Sequence, residues 1–277
     1  MEDPAIVARL RAAGCVFAEE EARLLAAAAR TRDDLEAMAG LREKGLPIEQ
    51  VIGWAWFCGL RIFVDAGVFV PRRRSEFLVE TAVRLAAEAS PVIVDLCCGT
   101  GALGVAVAAR LADGARGAAG PRGAAPHAAG PHAAGLHAAD VDPAAVGCAR
   151  RNVEPAGGRV YQGDLFGPLP AALRGRVGIL ICNAPYVPTE DIGMLPPEAR
   201  DYEPRIALDG GPDGLAVLRR VAAEAPRWLA PGGVLLVETS DSQAPLMTRA
   251  VAAAGLEARV HGCEEYESTV VTGAAPR

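Results

Sequence analysis

Asn183, Ala184, Pro185 and Tyr186 follow the apolar run "VGILIC" without a break. A buried strand that runs straight into an amide, a proline and an aromatic ring ends in a way that suits a ligand, since open α/β sheets bind ligands outside their strand ends. These residue types fit a planar –NH2 group, in an amide or a base. Its lone pair is delocalised, so it is a poor nucleophile and has to be held in place. The Asn183 side-chain oxygen and the Ala184 carbonyl supply two acceptors for its hydrogens. Pro185 removes a donor and restricts Ala184 to extended geometry, which aims that carbonyl. Tyr186 can pack on the planar group or cover a sulfonium. Asn183 and Tyr186 are thus the candidate catalytic residues, and residues 183–186 the candidate substrate-binding set. Catalysis would rest on positioning and electrostatics, with no covalent intermediate. A plain turn after a strand also favours Asn and Pro and is the competing reading.

A second constellation lies upstream. "VIVDLCCGTGALG" puts Asp95 at a strand end and Gly99-Thr100-Gly101 ahead of a helix, where glycines allow close approach and the helix N-terminus offers free N–H groups. Asp140 ends the next strand, and in dinucleotide folds such an acid bonds the ribose hydroxyls roughly 20 residues past the glycines. Gly101 and Asp140 are 39 positions apart; without the 22 residues of 114–135 they are 17 apart. A helix N-cap is the other role for Asp140, but Asp142 before Pro143 suits it better. Asp164 in "GDLF" is either an acceptor for an adenine amino group or a turn-capping acid. No Gly-Lys-Ser/Thr follows the glycines, which argues against a bound nucleoside triphosphate. An adenosine ligand without phosphates fits, and S-adenosylmethionine is such a ligand, with S-adenosylhomocysteine as its product. The candidate cofactor-binding residues are Asp95, Cys97, Gly99, Gly101, Asp140, Asp164 and Asn183.

These residues need a scaffold, and the chain supplies a pattern for one. Residues 1–52 carry apolar residues at helical spacing and predict a small helical domain. Residues 53–75 predict a hairpin linker around 65–67, and a helix is expected after Pro71. From Pro91 strands and helices alternate: "PVIVDL", "LHAADVD", "GRVYQGDLF", "VGILICN" and "GGVLLVETS" read as strands, and "EARVHGCEEYESTVVTGA" as two antiparallel strands. The expected fold is α/β, a mostly parallel sheet with an antiparallel edge over 76–277. Residues 114–135 hold nine Ala, six Gly, three Pro, two His and two Arg, and predict a flexible insertion. His127, His132 and His137 recur every five residues, yet a Gly-rich tract is not preorganised for a metal, and no metal is expected.

Composition narrows the function classes. The chain has 277 residues, a net charge of −6 and a pI of about 5.4, which disfavours a partner bound through phosphates. Seven cysteines without paired metal spacing suggest reduced thiols and a cytoplasmic protein. No signal peptide is expected from "MEDPAIVARLRAAG", and no run reaches the ~18 apolar residues of a membrane span. Trp54 and Trp56 suggest interdomain packing. Arg72 and Glu76 suggest either a cofactor entrance or a helix-start ion pair. Glu203 with Pro204 shapes a substrate loop or caps a turn, and Glu238 in "LLVET" is expected to buttress its strand end.

In this order, "DLCCGTG", "AADVDP", "GDLF" and "CNAPY" resemble class I methyltransferases acting on planar amino groups. "LPIEQVIGWAWFCGLRIFV", "VPRRRSEFLVE" and "YEPRIALDGGPDGL" resemble, more specifically, the glutamine N(5)-methyltransferases of translation termination factors. The resemblance runs from about residue 41 to 272. It implies a seven-stranded Rossmann-like sheet, a helical N-terminal domain that recognises a protein, and methylation of a glutamine in the Gly-Gly-Gln loop of a peptide-chain release factor. By the same match Asn183 and Tyr186 bind the glutamine amide, and Asp140 and Asp164 the cofactor. A monomer that binds no nucleic acid is expected. The chain departs from the family pattern at Ala184, where proline is usual, at Cys97 and Cys98, at Arg73 and Arg74, and in the insertion. Two alternatives stand beside this reading: an adenine amino-group methyltransferase acting on nucleic acid, which shares Asn-x-Pro-Tyr, and a catalytically degenerate cofactor-binding paralogue.

Overall fold

The computed structural model describes residues 3–87, 91–115 and 135–277. Helix α1 (Pro4–Ala12) starts where the Asp3 carboxylate accepts the Ala5 N–H at 3.0 Å, with Pro4 in the first turn. Helices α2 (Ala18–Ala28) and α3 (Arg32–Glu43) follow, the latter capped by the Thr31 hydroxyl, and the short α4 (Ile48–Ile52) ends on Gly53 at φ +82°. Ile6, Leu10, Leu25, Leu35 and Ala39 form a core of their own. Beside it the buried Arg42 donates to both Glu21 carboxylate oxygens, at 2.7 and 3.1 Å, and to the Leu46 carbonyl.

A hairpin comes next, but not where the sequence pattern placed it. Strands β1 (Trp54–Phe57) and β2 (Leu60–Phe63) turn at Cys58 and Gly59, both at positive φ, a geometry that favours Asn-Gly and that a cysteine disguises. Trp56 is 57% exposed and meets Trp54 edge-on, so it packs against its own hairpin rather than between domains. The helix expected after Pro71 is preceded by a short 3-10 turn and runs as α5 (Glu76–Leu85).

The main sheet contains β3 (Val92–Leu96), β4 (Leu136–Asp140), β5 (Arg159–Gln162), β6 (Val177–Cys182), β7 (Leu229–Thr239), β8 (Glu257–Cys263) and β9 (Ser268–Ala274). Their order is β5-β4-β3-β6-β7-β9-β8, parallel except for the two pairings of β9. This is the expected α/β architecture with its antiparallel edge. Near-continuous apolar runs suit strands covered on both faces. Ile93, Ile179, Ile181 and Leu236 face one core with α5, α6 (Ala102–Ala115) and α7 (Pro143–Val153). Val94, Leu96, Leu180, Leu235 and Val237 face the other, built with α9 (Ala216–Glu224) and α10 (Ala244–Ala253). Between α7 and α9 in the chain, α8 (Pro197–Tyr202) lies in the segment after Asn183 and was not foreseen from sequence. Of the 114–135 insertion, residues 116–134 lie outside the described residues, His127 and His132 among them. His137 sits on β4, its Nδ1 2.9 Å from the Tyr161 hydroxyl.

Two buried ionisable side chains, Asp95 and Arg42, shape this fold. Asp95 is wholly buried; one carboxylate oxygen accepts the Gly104 N–H at 2.9 Å and the other, Oδ1, has no partner among the described residues. Gly104 is needed at that contact, since a Cβ would come within 2.6 Å of Leu136 and 3.1 Å of Asp95. Burial pushes the Asp95 carboxyl from 3.8 up to about 8. The folded chain therefore keeps a proton there that the unfolded chain releases. That contribution to stability is lost as pH rises from about 4 through about 8. Asp95→Asn is expected to flatten this part of the pH dependence, read from denaturant midpoints; parallel profiles for the two proteins would refute it. For the other side chain, Arg42→Ala leaves Glu21 buried without its cation and is expected to cost about 3–5 kcal/mol, with the loss of helical signal in denaturant as the measurement.

Candidate active site

Strand order reverses between β3 and β6, with β4 and β5 laid down on one side and β7 on the other. Such switch points open a crevice at the carboxyl ends of the strands. The registers level those ends: Leu96 pairs with Ala139 on one side and with Cys182 on the other, and Cys182 in turn with Val237. The next residues in each chain are Cys97, Asp140, Asn183 and Glu238. A cavity of about 690 Å³ opens there, lined among others by Gly99, Asp140, Asp164, Asn183, Ala184 and Tyr186.

The candidate cofactor side is built on the loop between β3 and α6. Cys97, Gly99 and Gly101 all have positive φ, at 52°, 54° and 77°. For Cys97 this is a strained conformation, flanked by the Cys98 N–H that donates to the Ala139 carbonyl at 3.1 Å. The Cys97 side chain lies beside the Cys182 thiol, which that contact and burial push well above its ordinary range. The three positions do different work. A Cβ on Gly99 would meet nothing within 4 Å, so this glycine leaves open space at the cavity. A Cβ on Gly101 would strike Val153 at 2.6 Å; this glycine lets α6 approach α7 and faces away from the cavity. Asp95 also stays behind the cavity wall, supporting the loop from beneath.

Asp140 is fixed by two backbone donors, Gly99 N–H and Asp142 N–H, each at 2.9 Å. Each bond uses one lone pair of a different oxygen, so the carboxylate keeps acceptor capacity toward the cavity. Burial raises its pKa. The helix N-cap is Asp142, whose carboxylate accepts the Ala144 N–H. Asp164 lies at the mouth, 62% exposed, where its carboxylate pairs with Arg220. An acidic acceptor pair, an open glycine and adjoining apolar walls fit an adenosine ligand.

The candidate substrate side is the Asn183 segment. Asn183 donates from Nδ2 to the Ser75 hydroxyl at 3.1 Å, leaving Oδ1 for a ligand. Among the described residues no hydrogen bond reaches the Ala184 carbonyl. Tyr186 donates its hydroxyl to Glu238 at 3.0 Å. Arg74 places its Nε 3.3 Å from the same carboxylate oxygen and its guanidinium 5.8 Å from the centre of the Tyr186 ring. Burial raises the Glu238 pKa, while Arg74 and the Tyr186 and Ser75 hydroxyls oppose the rise. The extended chain after Tyr186 is locked by residues 208–214. Val187 exchanges backbone hydrogen bonds with Leu208 and Gly210, and Gln243 donates to the carbonyls of Tyr186 and Asp213 at 2.8 and 3.0 Å. Gly214 must lack a side chain, because a Cβ would lie 2.2 Å from both Gln243 and the Tyr186 carbonyl.

Reading the sequence missed Ser75, Arg74 and Gln243 as site residues, for nothing local marks them. Glu238 did carry a signal, an acid inside an apolar strand. Glu203, read as a loop-shaping or turn-capping residue, is buried and bridges the Val70 N–H and Arg72 at 3.1 and 2.6 Å. Arg72 accordingly pairs with Glu203 and not Glu76, which accepts the Cys58 N–H.

No family model matches the sequence. The fold is similar to the crystal structure of ribosomal protein L11 methylase from Lactobacillus delbrueckii subsp. bulgaricus, with a TM-score of 0.50 at 13% identity over 78% of this chain and 86% of that one. Curated sequences are much nearer. The release factor glutamine methyltransferase of Geobacter sulfurreducens is 38% identical over 217 residues, 76% of this chain and 68% of the relative. That of Mycolicibacterium smegmatis is 35% identical over 255 residues, 86% and 83% of the two chains. With this much of both lengths aligned, the chain belongs to the release factor glutamine methyltransferase family.

Proposed function

We propose that this protein methylates the side-chain amide of a glutamine in a peptide-chain release factor, in the cytoplasm, with S-adenosylmethionine as methyl donor. The observation that carries the reading is the pair of acceptors at the end of β6: Asn183 Oδ1 and the Ala184 carbonyl, next to the Asp140–Gly99 wall. Asp140, the open face of Gly99 and, at the mouth, Asp164 would hold the donor, which supplies a methyl group on a sulfonium and leaves as S-adenosylhomocysteine.

The chain's own residues act on the amide. Its nitrogen shares its lone pair with the carbonyl, so attack requires the –NH2 group to be presented with a face toward the methyl carbon. Two acceptors gripping both N–H groups do this. As the nitrogen gives up electron density its hydrogens grow more acidic, so the same two bonds strengthen toward the transition state and lower the barrier; when the N–CH3 bond forms and the S–CH3 bond breaks, one N–H proton is released to solvent. The Tyr186 ring, tied by its hydroxyl to Glu238, walls the site against water. The proline usual at 184 would pin φ; alanine presents the same carbonyl, and Pro185 still holds residue 184 extended. Residues 1–52 would engage the protein substrate, since Arg42 reaches Glu198 at 2.6 Å and the Tyr202 hydroxyl donates to the Lys44 carbonyl, joining the helices to the segment that borders the cavity.

The test is incubation with methyl-labelled cofactor and purified release factors, followed by mapping of the modified residue. Label on a Gly-Gly-Gln glutamine is expected; label on nucleic-acid adenine, or none, would overturn the reading. Asp140→Ala is expected to weaken cofactor binding at least ~10-fold by calorimetry, through loss of an ionised acceptor. Asn183→Ala should turn over on the order of a hundredfold more slowly while its cofactor affinity falls far less than that of Asp140→Ala; near-normal turnover would reduce Asn183 to a turn residue.

A further inference from the structure

Part of the cavity wall is helix α8, through Glu198 and Ala199, with Pro196 just before it. The anchoring of this wall is one-sided. Among the described residues, every hydrogen bond or ion pair that leaves residues 190–203 for another segment ends on residues 42–72, and none ends on the sheet that carries Asp140 and Asn183. At one end of α8 the Glu198 carboxylate pairs with Arg42 at 2.6 Å. At the other the Tyr202 hydroxyl donates to the Lys44 carbonyl, and the Tyr202 ring lies over Gly45, where a Cβ would come within 3.3 Å of it. Glu203, the next residue, accepts the Val70 N–H at 3.1 Å and pairs with Arg72 at 2.6 Å.

The anchors on the helical side are fixed without help from α8. A partly exposed ion pair holds weakly when both side chains have to be ordered for it. Arg42 is already ordered: it is buried, it donates to both Glu21 carboxylate oxygens at 2.7 and 3.1 Å, and it donates to the Leu46 carbonyl. The Lys44 carbonyl belongs to the turn that closes α3, where the Gly45 N–H donates to the Arg42 carbonyl at 2.9 Å. The helices thus present a ready cation and a ready acceptor, and α8 docks on them.

We propose that the helices of residues 1–52 complete the candidate active site: by docking α8 they position one wall of the cavity, and Glu198 and Tyr202 are positioning residues for methyl transfer. The sheet supplies the acceptors for donor and amide, and the helices supply the closure beside them. A reaction that depends on orientation slows steeply when a wall shifts. The inference rests on the amide-methylation reading for its chemistry, whereas the dependence of α8 on the helices exists without substrate.

Two measurements in the full-length protein test it. The first uses a short Gly-Gly-Gln peptide, which can fill the cavity but is too small to be gripped by the helices as well. Tyr202 is absent from the cavity lining, so a change there acts through α8. Tyr202→Ala is expected to lower kcat about tenfold on the peptide and equally on an intact release factor, with cofactor Kd within about twofold of the parent. Tyr202→Phe, which keeps the ring over Gly45, is expected to recover part of the rate. A loss confined to the intact release factor, or no loss, would overturn the inference, because the helices would then serve only to hold a partner. The second measurement needs no turnover. Leu25→Ala loosens the helical core without altering α8 or its anchors. Backbone hydrogen exchange at Arg200 and Glu203, whose amides bond within this segment, is expected to quicken about tenfold in Leu25→Ala, while Leu180 and Val237 in the sheet keep the parent rates. Unchanged exchange in α8, or equal quickening in the sheet, would overturn the inference whatever the substrate is. A parent protein that fails to label glutamine but whose exchange responds as stated would overturn the functional reading alone.

Discussion

Leu96 stands opposite Ala139 in one parallel ladder and opposite Cys182 in the other. This double register makes three strands finish level, and the residues that follow them — a glycine loop, an acid and an amide — meet around one cavity. Side chains alternate between faces along a strand, so a slip of one residue would exchange the two cores and turn the site residues away from each other. The two packed faces hold the register: Ile93, Ile179 and Ile181 on one side, Val94, Leu180 and Cys182 on the other. The hydrophobic burial that stabilises the sheet is therefore also what aligns the chemistry.

That alignment sets polar groups at a dry sheet edge, where an unpaired charge is costly. The structure answers with partners drawn from distant segments. Asp95 has the Gly104 N–H, Asp140 has two backbone donors, Glu203 has Val70 and Arg72, and Glu238 has Tyr186 and Arg74. Each bond offsets part of a desolvation cost and at the same time fixes a side chain before any ligand arrives. Preorganisation of this kind is what positioning catalysis requires, since a site that has to rearrange in the transition state loses the benefit of its dipoles.

The same logic extends outward. Residues 187–214 leave the sheet, fold over the cavity and return, and they are held by backbone hydrogen bonds to Leu208 and Gly210 and by the Gln243 amide. The N-terminal helices touch this segment through Arg42 and Lys44. A protein substrate gripped by the helices would thus be gripped close to the acceptors that hold its amide.

The amino-acid sequence by itself determined the alternation of strands and helices, the antiparallel edge, the cofactor loop with Asp140, and the Asn183–Tyr186 segment. All of these are local: periodic apolar residues, a glycine turn, a proline that restricts its neighbour. Local signals also account for what went astray. The hairpin turn was placed at 65–67 because Asp and Gly stand there, while the true turn uses Cys58, a residue with no turn preference. Gly101 counted as a cofactor glycine because it sits in the loop, yet its bare Cα makes room for Val153 of another helix. Only the tertiary structure decided that Ser75, Arg74 and Gln243 belong to the site, and that Glu238 meets Tyr186 there. They lie 30 residues or more from the side chains or backbone they hold, and the pairings arise from packing around the end of β6, not from any pattern along the chain.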